Sequence, residues 1–128
     1  MPKYFDVHSH LNTGAFSKDI DEVADRLKET ETHTIAVGVD FESSKKAVEL
    51  AEKYEEIYAC IGIHPADDPS ASWEVDKFNK LISNPRVVAI GECGFDFYHR
   101  DKNTDFERQK KLFLSQLNFA IAHNKPVM

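Results

Sequence analysis

Cysteine is scarce in this chain of 128 residues, which contains only Cys60 and Cys93. Each lies in an apolar run, a placement that favours buried free thiols in a reducing compartment over a disulfide framework. No stretch approaches the ~20 consecutive apolar residues of a membrane span. The amino-terminal sequence KYFDVHSH is too short and too polar for the apolar core of a secretory signal. We therefore expect a cytoplasmic protein with no membrane partner.

Several motifs of nucleotide and ester chemistry are also missing. The five glycines form neither a G-x-G-x-x-G pattern nor a P-loop, and no G-x-S-x-G elbow is present. A phosphate cradle of the nucleotide-fold kind and a serine hydrolase therefore lack support. An excess of positive charge is missing too, because the formal net charge is −6. Such a chain repels a polyanion unless basic side chains cluster locally or bound cations supply the charge.

The chain does contain apolar runs that alternate with helix-period segments, the pattern of βα units around a parallel sheet. The predicted strands are residues 3–8, 34–39, 57–62 and 86–92. The first two predicted helices are residues 19–31, with Ser17 as the cap, and a segment that contains Ala47 to Tyr54. The third covers residues 73–83. The fourth begins with a Thr104–Glu107 capping box and ends near Asn124. The final PVM is the predicted start of a fifth strand.

Length and composition set the size of the fold. With 41% hydrophobic and 30% charged residues, we expect residues 1–128 to form a single globular domain of the α/β class. A closed (β/α)8 barrel typically needs about 250 residues, so the chain is about half of one. From the pattern alone, a small open parallel sheet and half of a TIM-type barrel both remain open.

Side chains that bind metals follow three of the predicted strands. Asp6, His8 and His10 alternate along the first strand and would project to one face. Glu92 ends the fourth strand, where a buried acid is costly unless it is compensated, and His64 follows the third. Because the carboxyl ends of parallel strands meet at one rim, we predict a divalent-metal site of His8, His10 and Glu92. For Glu92 the alternatives are capping the next helix or pairing with Arg100, and for the two histidines the alternative is that one packs in the core while the other faces a loop.

The loop after the fourth predicted strand contains Asp96 and Arg100. Loops at this position hold substrate in barrels, although for these two residues we favour a loop-stabilising ion pair. We expect the aromatic residues of the loop, Phe95, Phe97 and Tyr98, to pack it rather than to stack on a base. The remaining histidines, which we expect to be solvated loop or helix-end residues, are His33, His99 and His123.

Five segments in this order resemble the TatD family of metal-dependent deoxyribonucleases, within the wider amidohydrolase-type barrels. They are FDVHSHL, VGVD, GIHP, AIGECGFDFYHR, and a last stretch with Gln109, Phe113, Gln116-Leu117, Ala120 and the final PV. The resemblance covers nearly the whole chain and implies the amino-terminal half of a (β/α)8 TIM-type barrel: the first four βα units and the start of strand five. It also implies a site for one to three divalent metal ions, and hydrolysis of phosphodiester bonds in DNA. Mg²⁺ or Mn²⁺ is the expected ion, and Zn²⁺ is compatible with the same ligands.

Residue by residue, His8 and His10 match the family's first-strand metal ligands. Glu92 matches the carboxylate that can bridge two metals, which makes it the candidate catalytic residue. His64 matches a histidine that lines the family's site, and with Arg100 it is our candidate for substrate binding.

Two positions depart from the family pattern. Ala66 stands where many members have a second histidine, which predicts a weaker substrate contact, and Phe95 replaces the usual leucine, a tolerable apolar exchange. The family's later metal ligands, two histidines and an aspartate, follow the segment that ends here at Met128. We therefore expect only the first half of the metal site in this chain.

Three hypotheses about function remain open at this stage. The first is metal-dependent hydrolysis of DNA, in which this chain is either active by itself or an inactive part of the enzyme. The second is metal-dependent cleavage of C–N or ester bonds, since paired histidines also serve carbonyl polarisation. The third is a non-catalytic half-barrel. Because an open parallel sheet exposes an edge strand, self-association through that edge is also expected.

Overall fold

The computed structural model describes residues 1–128 as a parallel sheet with strand order β1-β2-β3-β4 and a helix after each strand. The strands are β1 Tyr4–Ser9, β2 Thr32–Val37, β3 Ile57–Ile61 and β4 Val87–Ile90. The helices are α1 Ile20–Glu29, α2 Phe41–Lys53, α3 Val75–Ile82 and α4 Lys102–Ala122, and a short 3-10 turn covers Gly14–Phe16. Every predicted strand and helix is therefore present, in the predicted order. No helix is both long enough and apolar enough to cross a membrane.

The main core lies between one face of the sheet and the helices. Its strand residues include Ala36, Ile61 and Ile90, and its helix residues include Phe78 and Leu112. Because side chains alternate along a strand, the same apolar runs place a smaller cluster on the opposite face of the sheet. The buried members of that cluster are Ile35, Val37, Cys60 and Ala89.

The two edges of the sheet differ. β1 pairs only with β2, and its Tyr4, Phe5 and Val7 are 59%, 47% and 60% exposed. Its outer backbone groups therefore have no strand partner. At the other edge Val127 forms a parallel bridge with Ile90, which confirms the predicted start of a fifth strand.

Two predicted helix caps are wrong. α1 begins at Ile20 after Asp19, so Ser17 does not cap it. α4 begins at Lys102, because the Asp101 carboxylate accepts a hydrogen bond from the Asn103 backbone N–H and starts the helix ahead of Thr104. Short acidic side chains are strong caps, and here the earlier candidate prevails.

The prediction for His33 is also wrong. β2 begins at Thr32, so His33 lies within the strand and not in a loop. Its ring lies 6.2 Å from the ring of Phe5 and 5.9 Å from that of Tyr58. The strand begins before the apolar run because the threonines and the histidine pair with β1 in spite of their polarity. As predicted, His99 lies in an exposed loop and His123 ends α4.

Candidate metal centre

Two histidines meet at the carboxyl end of β1. The Nε2 atoms of His8 and His10 lie 3.3 Å apart, as the alternation of side chains along a strand predicts. Asp6 was predicted to project with them, but its Oδ1 accepts a hydrogen bond from the His8 backbone N–H. The histidine side chains are 38% and 41% exposed, so a ligand can reach them from solvent.

Glu92 joins this pair from the carboxyl end of β4. Its Oε2 lies 3.2 Å from Nε2 of His8 and 3.7 Å from Nε2 of His10. One ligand atom from each of the three residues lies within 4.8 Å of the other two. Two imidazoles and a carboxylate at this spacing are able to share a divalent cation.

Close approach of neighbouring strand ends brings Glu92 to the histidines. A Cβ on Gly62 would lie 2.4 Å from the Gly91 carbonyl oxygen, and one on Gly91 would lie 2.4 Å from that of Met128. In addition, the Glu92 backbone N–H donates a hydrogen bond of 2.9 Å to the carbonyl of Gly38, the residue after β2. Glycine at positions 62 and 91 is therefore what lets the carboxyl ends of the strands converge.

A backbone carbonyl orients His10. Its Nδ1 lies 3.1 Å from the Val37 carbonyl oxygen, to which the protonated nitrogen donates, and this leaves the Nε2 lone pair free for a cation. The buried Asn12 amide donates to the same carbonyl and to that of Ser43. Asn12 was not singled out from the sequence, because no spacing rule links an asparagine to a histidine two residues before it.

His64 lies beside this centre, in the loop after β3. Its Nε2 is 3.9 Å from Oε1 of Glu92 and 3.6 Å from Oδ2 of Asp96, and its side chain is only 17% exposed. Its Nδ1 is 2.8 Å from Oδ1 of Asp67. The structure thus places His64 on the predicted rim and adds Asp67, which sequence reasoning missed.

The predicted ion pair between Asp96 and Arg100 is wrong. The Arg100 guanidinium donates to the Ala66 carbonyl through Nε at 3.1 Å and through Nη2. These hydrogen bonds to Ala66 connect the loop after β4 to the loop after β3. They use the guanidinium N–H groups that an ion pair with Asp96 would need. The side chain of Asp96 lies near His64 instead.

Two fully buried glutamines of α4 fix the loops that carry these residues. Gln116 accepts from the Ile63 backbone N–H at 2.8 Å and donates to the Ile63 carbonyl at 3.0 Å. Gln109 does the same for Asp96, at 2.8 Å and 2.6 Å. Each side-chain amide replaces a neighbouring strand as the backbone's partner. The available sequence signal was a glutamine repeated after seven residues within an apolar helix face.

Both cysteines are free, as predicted. Burial raises the pKa of the Cys93 thiol to about 11, and the charge of Glu92 adds to the shift. Burial also raises the pKa of Cys60, with smaller contributions from Cys93 and Glu92. Both thiols are therefore protonated at neutral pH and are unsuited to act as nucleophiles or metal ligands.

The family model described as TatD related DNase matches residues 5–128. YabD of Bacillus subtilis strain 168, named an uncharacterized metal-dependent hydrolase, is 37% identical over 97% of this chain and 49% of its own length. The 3′-5′ ssDNA/RNA exonuclease TatD of Escherichia coli K12 is 34% identical over 96% of this chain and 47% of its own length. The crystal structure of YJJV, a TatD homologue from Escherichia coli K12, matches with a TM-score of 0.84 at 28% identity, over 97% of this chain and 49% of that chain.

A parallel α/β sheet with histidines and a glutamate at its carboxyl edge is an arrangement of metal-dependent hydrolases. The matches specify the class further. The chain belongs to the family of TatD-related DNases. It spans about half the length of the curated relatives it matches, and the structural match confirms the predicted fold class, part of a TIM-type barrel.

Proposed function

We propose that this chain supplies a divalent-metal site at which a phosphodiester bond of nucleic acid is hydrolysed. The observation that carries the proposal is the convergence of His8, His10 and Glu92, with ligand atoms within 4.8 Å of one another at the carboxyl edge of the sheet. Family membership supports a hydrolase, and the exonuclease activity named for the Escherichia coli relative supports single-stranded DNA as the substrate.

In this proposal each site residue has a distinct role. The two histidines and Oε2 of Glu92 would hold the cation, which would supply Lewis acidity toward the phosphate. Oε1 of Glu92 lies 3.9 Å from Nε2 of His64. It accepts the proton that the attacking water loses as the new P–O bond forms, and it returns this proton to the sugar oxygen that leaves when the old P–O bond breaks. Glu92 is thus both ligand and catalytic base.

His64 and Arg100 act on the substrate in different ways. The Ala66 backbone N–H donates to Nδ1 of His64 at 3.3 Å, so the ring proton is on Nε2, which donates it to a phosphate oxygen. Arg100 donates to the Ala66 carbonyl, so its role in substrate binding is to hold the loop that carries His64. The absence of a second histidine at Ala66 leaves that loop with one phosphate donor.

The chemistry of the ligands ranks the candidate metals. Imidazole suits Zn²⁺ and the carboxylate suits Mn²⁺, whereas Mg²⁺ prefers oxygen ligands alone and gives up its water reluctantly. We therefore infer that this half-site binds Mn²⁺ or Zn²⁺ more tightly than Mg²⁺. Titration calorimetry with each chloride salt ranks the three ions directly, with His8→Ala as the variant that loses a ligand.

The proposal is tested with end-labelled single-stranded DNA and Mn²⁺, with EDTA as the blank. We expect hydrolysis by the wild-type chain and none by His8→Ala or Glu92→Gln, while His123→Ala, a histidine at the end of α4 and outside the site, cleaves normally. Cleavage of amide or ester substrates in place of DNA would support the second hydrolase class. Metal binding without cleavage of any substrate would support a non-catalytic half-barrel and contradict the proposal for this chain.

We also propose that the chain associates with a second copy through the outer edge of β1. The strand exposes Tyr4, Phe5 and Val7 along an edge without a strand partner, and such an edge is a template for pairing with another chain. The cytoplasmic location also remains a proposal, supported by the two free thiols.

A further inference from the structure

An aromatic surface lies beside the metal centre and has no role in the proposal above. It consists of Phe95, Phe97 and Tyr98 in the loop after β4 and Phe106 in the first part of α4. Gly94 and Cys93 alone separate Phe95 from Glu92 in the sequence. Three residue steps span at most about 11 Å, and Asp96, which lies between Phe95 and Phe97, is 3.6 Å from Nε2 of His64 beside the metal centre.

The rings of the aromatic surface hold one another in place. Phe95 stacks on Phe106 with ring centroids 5.4 Å apart and planes at 17°, and Phe97 lies 6.4 Å from Phe106 at 29°. The ring centroid of Phe113 lies 5.6 Å from that of Phe95. This packing confirms for Phe95 and Phe97 the expectation that the aromatic residues pack the loop, whereas Tyr98 is not packed against them. The phenylalanine side chains are therefore held in fixed positions, which favours stacking with a ligand.

The same rings are nevertheless open to solvent. Phe95 is 43% exposed, Phe106 is 36% exposed and Tyr98 is 77% exposed. Tyr98 contacts only one other ring, that of His99, at 4.0 Å between centroids. Exposing aromatic area is unfavourable in water, which suggests that the area has a ligand.

The charges around the surface indicate the chemistry of that ligand. Lys102 lies 5.8 Å from the ring centre of Phe97 and Lys110 lies 5.9 Å from that of Phe106, and neither lysine is in a salt bridge. Residues 95–113 contain five Lys and Arg against four Asp and Glu, in a chain of net charge −6. The surface is thus a slightly basic region of an acidic protein. Lysines are depleted in the centre of protein interfaces, so this combination favours a polyanion with aromatic groups over a packed helix.

We propose that the aromatic surface, with Lys102 and Lys110, is a subsite that binds single-stranded nucleic acid next to the metal centre. The exposed rings, Tyr98 above all, stack on bases, and the two lysines neutralise phosphates. Stacking tolerates any sequence because every base has a π face. The proposal rests on the proposed function for its ligand, but it concerns binding and requires no hydrolysis.

The test is fluorescence anisotropy of a labelled single-stranded oligonucleotide with EDTA present throughout. We expect Tyr98→Ala to weaken binding by about 5-fold or more, the lower end of the effect of one stacked base. Lys102→Ala combined with Lys110→Ala should lower the slope of log Kd against log salt concentration by about 1.4, since each phosphate contact to a single strand contributes about 0.7. Ile121→Ala is the control, because Ile121 is 69% exposed at the opposite end of α4 from Phe106.

An oligonucleotide of abasic sites separates stacking from charge. The wild-type protein should bind it more weakly than the normal oligonucleotide, and the difference between the two should be smaller for Tyr98→Ala than for the wild type. Equal affinity of the wild type for both, no binding at all, or unchanged binding by Tyr98→Ala would overturn the proposal. Because the metal is chelated, a failure of hydrolysis in the separate nuclease assay leaves this result unaffected.

Discussion

At the residue scale, the position of His64 depends on a side chain that never touches the metal centre. Gln116 is fully buried and makes both of its hydrogen bonds with the backbone of Ile63, the residue just before His64. Ile63 is itself 5% exposed, so its N–H and carbonyl have no access to water. The amide of Gln116 is therefore a structural requirement for the site.

We expect Gln116→Leu to destabilise the protein by about 2–6 kcal/mol, because two buried backbone groups lose their partners at about 1–3 kcal/mol each. Leucine fills similar space, so the loss reports hydrogen bonding more than cavity formation. The measurement is urea denaturation followed by circular dichroism. Asn118→Leu, at an exposed position of the same helix, is the control, and equal stability of both variants would contradict the structural role.

Asp105 gives a second prediction at this scale. Hydrogen bonds from Arg108, and then from Gln109, lower the pKa of the Asp105 carboxyl to about 2. The unfolded-state pKa is about 3.9, so the charged form is favoured by folding. This contribution to stability is fully present above about pH 4 and is lost as the pH falls toward 2.

We expect Asp105→Asn to be less stable than the wild type at pH 7, with a difference that disappears between about pH 4 and pH 2. Denaturation midpoints at several pH values over this range measure the difference. Asp19→Asn, at the cap of α1 where no side-chain hydrogen bond forms, is the control. A difference between wild type and Asp105→Asn that is constant with pH would show that the Arg108 pair is not its origin.

The residues that could be predicted from sequence are those with a spacing rule. His8 and His10 followed from the two-residue period of a strand, and Glu92 from an acid at the end of an apolar run. Asp67 and Asn12 could not be predicted, because their partners come from loops and strands whose relative positions only the folded chain fixes. The Asp96–Arg100 prediction failed for the same reason: the competing acceptor, the Ala66 carbonyl, is 34 residues away.

At the element scale, strands were easier to predict than the starts of helices. A strand covered on both faces has a continuous apolar run, and β2, β3 and β4 all lie within the predicted ranges or within two residues of them. A helix start depends on which of several adjacent cap residues prevails. Before α4 the chain offers both Asp101 and Thr104, and composition does not decide between them.

The edge strand β1 gives the prediction for this scale. We expect the wild-type protein to associate as its concentration rises, and Val7→Lys to remain monomeric, because lysine on an edge strand opposes pairing. Val7 is 60% exposed, so the change leaves the core intact. Sedimentation velocity over a range of concentrations measures the effect.

The control for the edge prediction is Val75→Lys, which adds the same charge at a 47% exposed valine of α3. If both variants or neither variant shifts the distribution, net charge or another surface explains the association. If only Val7→Lys shifts the sedimentation distribution toward the monomer, the association takes place through the edge of β1.

At the scale of the whole molecule, the metal centre links the two sides of the sheet. His8 and His10 come from one edge strand, while Glu92 follows the strand furthest from it. The three side chains meet at one end of the sheet, which places a carboxylate next to two imidazoles. A cation at this point would therefore tie β1 to β4 across the whole sheet.

We expect Mn²⁺ or Zn²⁺ to stabilise the folded chain, because the three ligands are together only when the sheet is formed. At 100 times the dissociation constant the gain is about 2.7 kcal/mol, which corresponds to a rise in Tm of roughly 10 °C for a domain of this size. Calorimetry with and without metal measures the rise, and a single transition would also support the prediction that residues 1–128 form one domain. Glu92→Gln should remove most of the rise, whereas His99→Ala should keep it. An equal rise in Glu92→Gln would mean that the cation binds elsewhere, and the assignment of His8, His10 and Glu92 as the metal centre would fail.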